Sequence, residues 1–240
     1  MTALRNISTL VLTLITSTVF GQYLGYSPIN DSDVSKWIPK ILLEYYGTYH
    51  FGDSEGESTL ILFFSGSEIV AQVKSGTWNS DATDWIWLYD NLSNVNIDKN
   101  GQFTSDEYKG EFVFYNGGSE RQKCLKIYDS WSGATENEGE YELGSKLIAT
   151  AYAMYSGKYA VASTQELNPD ELRKMSSEEL KIMRNEIFAR YGYIFKEGGE
   201  MEKYFKKQRW YQPQHTDVND FLTSLEKRNI RLIKTEEERP

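Results

Sequence analysis

The spacing of apolar residues changes once along this chain, near Ala151, and that change bounds what the chain can fold into. Before it, apolar residues alternate with polar ones in short runs broken by Gly, Asn and Asp, the period of half-buried strands. After it they recur every three or four positions, the spacing of one helix face. A strand-period region followed by a helix-period region describes a β + α chain of two domains.

Residues 43–51, 58–64, 68–74, 84–89, 93–97, 102–105, 111–115, 121–128 and 140–149 read as strands. Their connections carry turn chemistry: Ser65-Gly66, Asn116-Gly117-Gly118 and Asp98-Lys99-Asn100-Gly101 place glycine where positive φ is needed. Short strands joined by tight turns form an antiparallel meander, and a long meander avoids bare edges by closing on itself. The expectation for residues 41–153 is therefore a β-barrel, lipocalin-like by architectural analogy. Its interior would be packed with side chains or hold one small ligand. Tyr45, Tyr49, Phe51, Phe63, Trp85, Trp87, Phe103 and Phe112 supply bulk for either outcome. Residues 22–40, with Pro28 and Pro39, read as a lead-in carrying one helical turn near 32–37.

Arg5, the apolar and Ser/Thr run from Ile7 to Phe20, and small residues at Val19 and Gly21 read as a secretory signal peptide spanning 1–21, cut after Gly21. A membrane anchor is the alternative, but the run of about 14 residues is short of the ~20 that a bilayer requires. Cys124 is the only cysteine, so no intramolecular disulfide forms, and it reads as a small strand side chain. Residues 22–150 carry a net charge of −11 and residues 151–240 a net +1, Arg5 making up the total of −9. That balance argues against nucleic acid, whose binding requires neutralised phosphates.

No spacing points to a catalytic group, a cofactor or a metal. The chain holds two histidines, so a histidine-based metal site or triad has little to build on. Asp53, Glu55 and Glu57 alternate along one loop and would suit Ca²⁺, although a solvated acidic tip is the ordinary outcome. Asp98, Asn100 and Gly101 resemble the start of a calcium loop that lacks its acidic closing ligand.

About four helices are expected after the change of period. Asn168-Pro169-Asp170-Glu171 is a cap and first turn, ending near Met175. Ser176 with Glu179 opens the second helix, which places Leu180, Met183, Ile187, Phe188 and Tyr191 on one arc and stops at Gly192. A third helix spans 200–207 and a fourth begins at Asp217. Residues 234–240 read as a charged tail, and Tyr155-Ser156-Gly157-Lys158 as a hinge. Arg184 falls within the apolar arc and so requires a partner, sought in residues 159–167 or a nearby carboxylate. Glu186 and Arg190 form a favourable four-apart pair flanking that face.

The run Arg184-Asn185-Glu186-Ile187-Phe188-Ala189-Arg190-Tyr191-Gly192, with Gly192-Tyr193-Ile194-Phe195, Tyr204-Phe205 and Trp210-Tyr211, resembles the YARHG domain, a small bacterial module presumed extracellular. The resemblance covers about residues 157–233. Phe188 stands where the family has its first Tyr, and Tyr191 where it has His, so no role of that histidine transfers. What the resemblance implies is a helical fold and a secreted or periplasmic location.

The functional expectation is a binding or accessory protein of the cell envelope, its partner an envelope component, peptide or glycan, without a transmembrane anchor after cleavage. A carboxylate-based hydrolase of an envelope glycan or peptide, and a barrel carrying a small apolar ligand, are the alternatives. Arg184, Asn185, Glu186, Arg190, Tyr191 and Gly192 are expected to anchor structure more than to bind ligand. Lys203, Lys206, Lys207 and Arg209 beside Trp210 and Tyr211 are the candidate partner surface, for an acidic or glycan partner or for this chain's own acidic half.

Overall fold

The structure, a computed structural model, describes residues 21–147 and 154–239. The expected signal peptide (1–21) apart from Gly21, the end of the last expected strand and the change of period near Ala151 lie outside the described residues. Twelve strands make one sheet: β1 (Gln22–Leu24), β2 (Ser27–Pro28), β3 (Val34–Lys36), β4 (Gly47–Phe51), β5 (Ser58–Ser65), β6 (Glu68–Trp78), β7 (Trp85–Asn91), β8 (Asn96–Ile97), β9 (Gln102–Thr104), β10 (Lys109–Tyr115), β11 (Gln122–Tyr128) and β12 (Tyr141–Leu147). The path through it runs β7-β6-β5-β4-β12-β11-β10-β9-β8, each neighbour antiparallel.

The expected barrel is corrected to an open sheet. The two ends of the meander do meet, β4 against β12 with His50 opposite Ser145. The ladder breaks instead between consecutive strands, because among the described residues no pairing joins β7 to β8. The cause lies in the C-terminal half, which occupies the free edge of β7. Gln214 Oε1 accepts from the Trp87 N–H at 3.2 Å and its Nε2 donates to the Trp85 carbonyl at 2.8 Å. His215 Nε2 lies 2.8 Å from the Trp87 carbonyl.

Strand alternation sorts the side chains onto two faces. One face of β4, β5, β6, β10 and β11 is filled by Tyr49, Phe51, Leu60, Leu62, Val73, Phe112, Leu125 and Ile127, with Tyr45 and Phe103, all buried. The other face of β10 to β12 carries Val113, Cys124 and Leu143. The lead-in is not a loose segment: β1 runs parallel to the start of β12, and β3 pairs with the end of β10. Its helical turn is a single 3-10 turn at Asp31–Asp33 ahead of β3. Leu42–Tyr45, of which 43–45 were expected as strand, form another, since the Tyr45 hydroxyl donates to the Trp37 carbonyl at 3.0 Å and its own carbonyl accepts from Tyr49.

Among the described residues five helices follow: α1 (Val161–Thr164), α2 (Pro169–Leu172), α3 (Ser177–Arg190), α4 (Glu200–Phe205) and α5 (Ser224–Glu237). α3 starts at Ser176 with a complete capping box to Glu179. It buries Leu180, Met183, Ile187 and Tyr191 against Val218, Leu222 and Ile233. The last helix starts later than expected. Asp217 uses its carboxylate on the Asn219 N–H in a local turn, and the Thr223–Glu226 box opens α5. The supposed tail is helical to Glu237: Glu236 is buried beside Arg239 at 2.7 Å, and Glu237 receives Arg184 at 2.8 and 3.1 Å.

α3 ends on a paired turn in which Tyr193 N–H reaches the Phe188 carbonyl at 3.2 Å and Gly192 N–H reaches Ala189 at 3.0 Å. Gly192 has φ +72°, and a Cβ there would stand 2.6 Å from the Gln212 carbonyl oxygen. Gly192→Ala is therefore expected to cost more than the ~1–2 kcal/mol of a left-handed alanine, read as a lowered urea midpoint at unchanged slope.

Candidate functional site

The outward face of β6 and β7 is the starting point. The paired positions Gln72/Asn91, Lys74/Tyr89, Gly76/Trp87 and Trp78/Trp85 all point to that side, away from the filled core. The helical half covers the first of these rows. Gln72 Nε2 donates to the Phe221 carbonyl at 2.7 Å, Asn91 Nδ2 reaches the same oxygen at 3.2 Å, and Ile61, Phe63 and Val70 pack against Tyr155, Ala160 and Leu225. The cover stops at Lys74 and Trp87.

Where it stops there is a cleft of about 150 Å³. The sheet contributes Ile61, Lys74, Trp87 and Tyr89; the helical half contributes Arg190, Tyr191, Gly192, Trp210, Gln212 and Gln214; Met154, Tyr155 and Ser156 close it. Lys74 Nζ lies over the Trp87 ring, 4.0 Å from its centroid. Among the described residues it has no carboxylate partner within ion-pair distance. Burial lowers its pKa, with the charge of Glu57 acting the other way. No carboxylate lines the cleft, so it is a cationic hollow in an acidic protein.

The residues singled out from sequence divide into three groups. Glu186 and Arg190 are the buried pair, with side chains 2% and 4% exposed. Glu186 accepts from the Tyr159 N–H at 2.6 Å and the Lys158 N–H at 2.9 Å, while Arg190 donates to the Ser156 carbonyl at 2.7 Å and the Ser163 hydroxyl at 2.8 Å. The supposed hinge at 155–158 is thus clamped from both sides of one ion pair. Of the two partners sought for Arg184, the carboxylate is the one found, and the 159–167 segment is held by Arg190 instead, through the Ser163 hydroxyl. Arg184 itself is half-buried and pairs with Glu237, and Asn185 caps the Lys181 carbonyl of its own helix at 2.7 Å.

Tyr191 forms the second group. Its hydroxyl donates to Glu226 Oε2 at 2.8 Å and stands 3.3 Å from Gln72 Oε1, joining the helical half to β6. Burial and the neighbouring Glu226 charge raise its pKa, so it remains a donor. Glu226 is fully enclosed, and burial raises its pKa against hydrogen bonds from Ser163, Thr223 and Tyr191.

The third group, the basic stripe, is split. Lys203, Lys206, Lys207 and Arg209 are exposed, Lys206 pairing with Glu202 at 2.6 Å. Tyr211 is buried with its hydroxyl on the Tyr193 carbonyl at 2.7 Å, and Trp210 packs on Phe205 and lines the cleft. The stripe does not dock the two halves, which meet through neutral groups and the Arg228–Glu68 pair.

Sequence reasoning missed Lys74, Trp87, Gln212 and Gln214. The available signal was parity: Trp85, Trp87 and Tyr89 share one face of β7, which was expected in the barrel interior and instead faces away from the filled core. The acidic loop of Asp53, Glu55 and Glu57 makes a 3-10 turn capped by Asp53, and no group of three or more potential metal ligands occurs among the described residues. Cys124 is buried and its thiol is pushed up to about 12 by burial.

With this geometry in place, the comparisons locate the helical half. Residues 155–238, at the C-terminal side of the chain, match the YARHG domain. No curated protein and no solved structure matches the chain. Among the described residues no helix is long and apolar enough to cross a membrane.

Two expectations concern the network. Glu186→Gln leaves Arg190 buried opposite a neutral group and should cost ~3–5 kcal/mol in equilibrium unfolding. Glu226 has a folded pKa above its ordinary 4.5, so its contribution to stability is present below that value and is lost as pH rises through the folded pKa. Glu226→Gln keeps the capping box and should flatten that decline, checked as the difference in melting temperature between variant and parent across pH.

Proposed function

We propose that the protein is a secreted or periplasmic accessory protein that holds an anionic envelope ligand in the cleft between its sheet and its YARHG domain. The domain match is consistent with an extracellular or periplasmic accessory protein. The observation that carries the ligand is Lys74, an ammonium desolvated beside Trp87 with no carboxylate partner among the described residues. A buried cation is costly unless something completes it, and a carboxylate or phosphate entering the cleft would do so. The aromatic walls of Trp87, Tyr89 and Trp210 suit a ligand with a flat or apolar body behind the anion. The hollow is too small for a polyanion, and the sheet around it is acidic.

This reading is favoured over the two alternatives by particular groups. A barrel carrier requires an empty interior, whereas Tyr49, Phe51, Leu60, Leu62 and Phe112 fill that space. A carboxylate hydrolase requires an acid and a base facing one hollow; this cleft is lined by neither, and the two carboxylates of a neighbouring hollow, Glu55 and Glu57, sit among indole rings.

Purified protein is titrated with benzoate, galacturonate and inorganic phosphate while tryptophan fluorescence is followed. At least one should bind saturably, and Lys74→Met should weaken it by about tenfold, the scale of one charge-assisted contact. The same substitution should leave the melting temperature unchanged or higher, because it removes a desolvated charge. Absence of saturable binding to all three would overturn the proposal.

A further inference from the structure

Beyond the cleft, the same face of β6 and β7 carries a second hollow of about 280 Å³, lined by Ser54, Glu55, Glu57, Trp78, Trp85 and Trp87. Its walls come from strand register. Trp78 faces Trp85 across the ladder, and Trp87 follows two residues on, on the same side. Between them lies Gly76, where a Cβ would stand 2.1–2.5 Å from Nε1, Cε2 and Cζ2 of the Trp85 indole. Only a residue without a side chain lets that ring lie down on the sheet. Trp78 then meets Trp85 at 83° with centroids 5.3 Å apart, and Trp87 meets it at 84° and 6.3 Å. One indole makes a floor and its two neighbours stand at right angles to it.

That geometry selects a shape. A flat sugar ring stacks on exposed coplanar rings, whereas perpendicular rings enclose a compact group. The charge selects a sign. Glu55, on the 3-10 turn Ser54–Gly56, and Glu57, just after it, are exposed and make no ion pair among the described residues. The nearby cation, Lys74, lines the other hollow, with Trp87 shared between the two. Negative ring faces and two carboxylates around one small space attract a cation. Ring faces offer no hard oxygen ligands, so a bare metal ion gains little there. A primary ammonium is strongly hydrated and resists entering an aromatic box, while a methylated one sheds water readily.

We infer that Trp78, Trp85 and Trp87, with Glu55 and Glu57, form an aromatic cage for a quaternary or methylated ammonium group. The cage does not depend on an anion occupying the neighbouring cleft.

Choline chloride and tetramethylammonium chloride are titrated against the intact protein, with indole NMR shifts and fluorescence as readouts. Saturable binding is expected, with the uncharged neohexyl alcohol of the same shape bound roughly tenfold or more weakly, since it lacks the cation–π term. Gly76→Ala, which pushes Trp85 off the floor, and the surface change Trp78→Ala should each abolish or strongly weaken choline binding at an unchanged far-ultraviolet dichroism spectrum. Glu57→Gln should weaken choline and leave the neohexyl alcohol unaffected. Lys74→Met should leave choline binding intact, which separates this site from the anion cleft. Equal affinity for choline and the neutral alcohol, or binding of a neutral oligosaccharide with none of choline, would overturn the cage.

Discussion

The Glu186–Arg190 ion pair holds the helical half in its shape. It sits four residues apart on α3 with both side chains almost wholly buried, where neither charge could remain alone. Each partner spends its remaining hydrogen-bonding capacity on the segment that arrives from the sheet, through the amides of Lys158 and Tyr159, the carbonyl of Ser156 and the hydroxyl of Ser163. Burial of this kind contributes little net stability compared with an apolar pair, but breaking it is costly. Its effect is to specify one path for residues 156–163. That path places Tyr155 against Phe63 of β5 and Tyr191 against Gln72 of β6, and so sets the gap that becomes the cleft.

The two hollows on β6 and β7 have opposite electrostatic character although they share one indole. On one side Trp87 carries Lys74 over its ring, and the helical half brings Arg190, whose carboxylate partner Glu186 does not line the cleft. On the other side the 3-10 turn after β4 brings Glu55 and Glu57 and no cation. Both arise from the same period-two face, divided by where the helical half stops. The separation of charge is thus a product of docking geometry more than of local sequence.

The local signals were legible where a residue's role is local. Ser176 with Glu179, Asn168 with Pro169, and Gly192 after Tyr191 mark their helix ends by backbone chemistry within a few positions, and the structure places those ends there. Strand-period runs 58–64, 111–115 and 121–128 were likewise recoverable. What failed was nonlocal. Closure of the barrel depended on whether β7 would pair with β8 or with a segment more than a hundred residues away. The choice of Arg184 as the buried cation rested on a helical wheel, which sees angle but not what covers it. Glu237 reaches Arg184 at the end of α5, while α1 and the connector cover Arg190. Lys74 escaped notice for the same reason, since an isolated lysine on a strand is ordinary until another element desolvates it. Tyr191 shows the same limit, since its partner Glu226 lies 35 positions away on α5.

Gln214 and His215 complete the edge of β7 with side chains instead of a strand. An amide side chain presents one acceptor and one donor in the spacing of a peptide unit, so a single glutamine can substitute for a neighbouring backbone over one residue pair. The YARHG-matched region thereby depends on the main chain of β7 for part of its own hydrogen bonding. A protein that carries the same helical arrangement without this sheet must offer Gln214 and His215 another extended backbone, or place different residues there. The identity of those two positions across relatives therefore serves as a marker of which ones sit beside a β-strand.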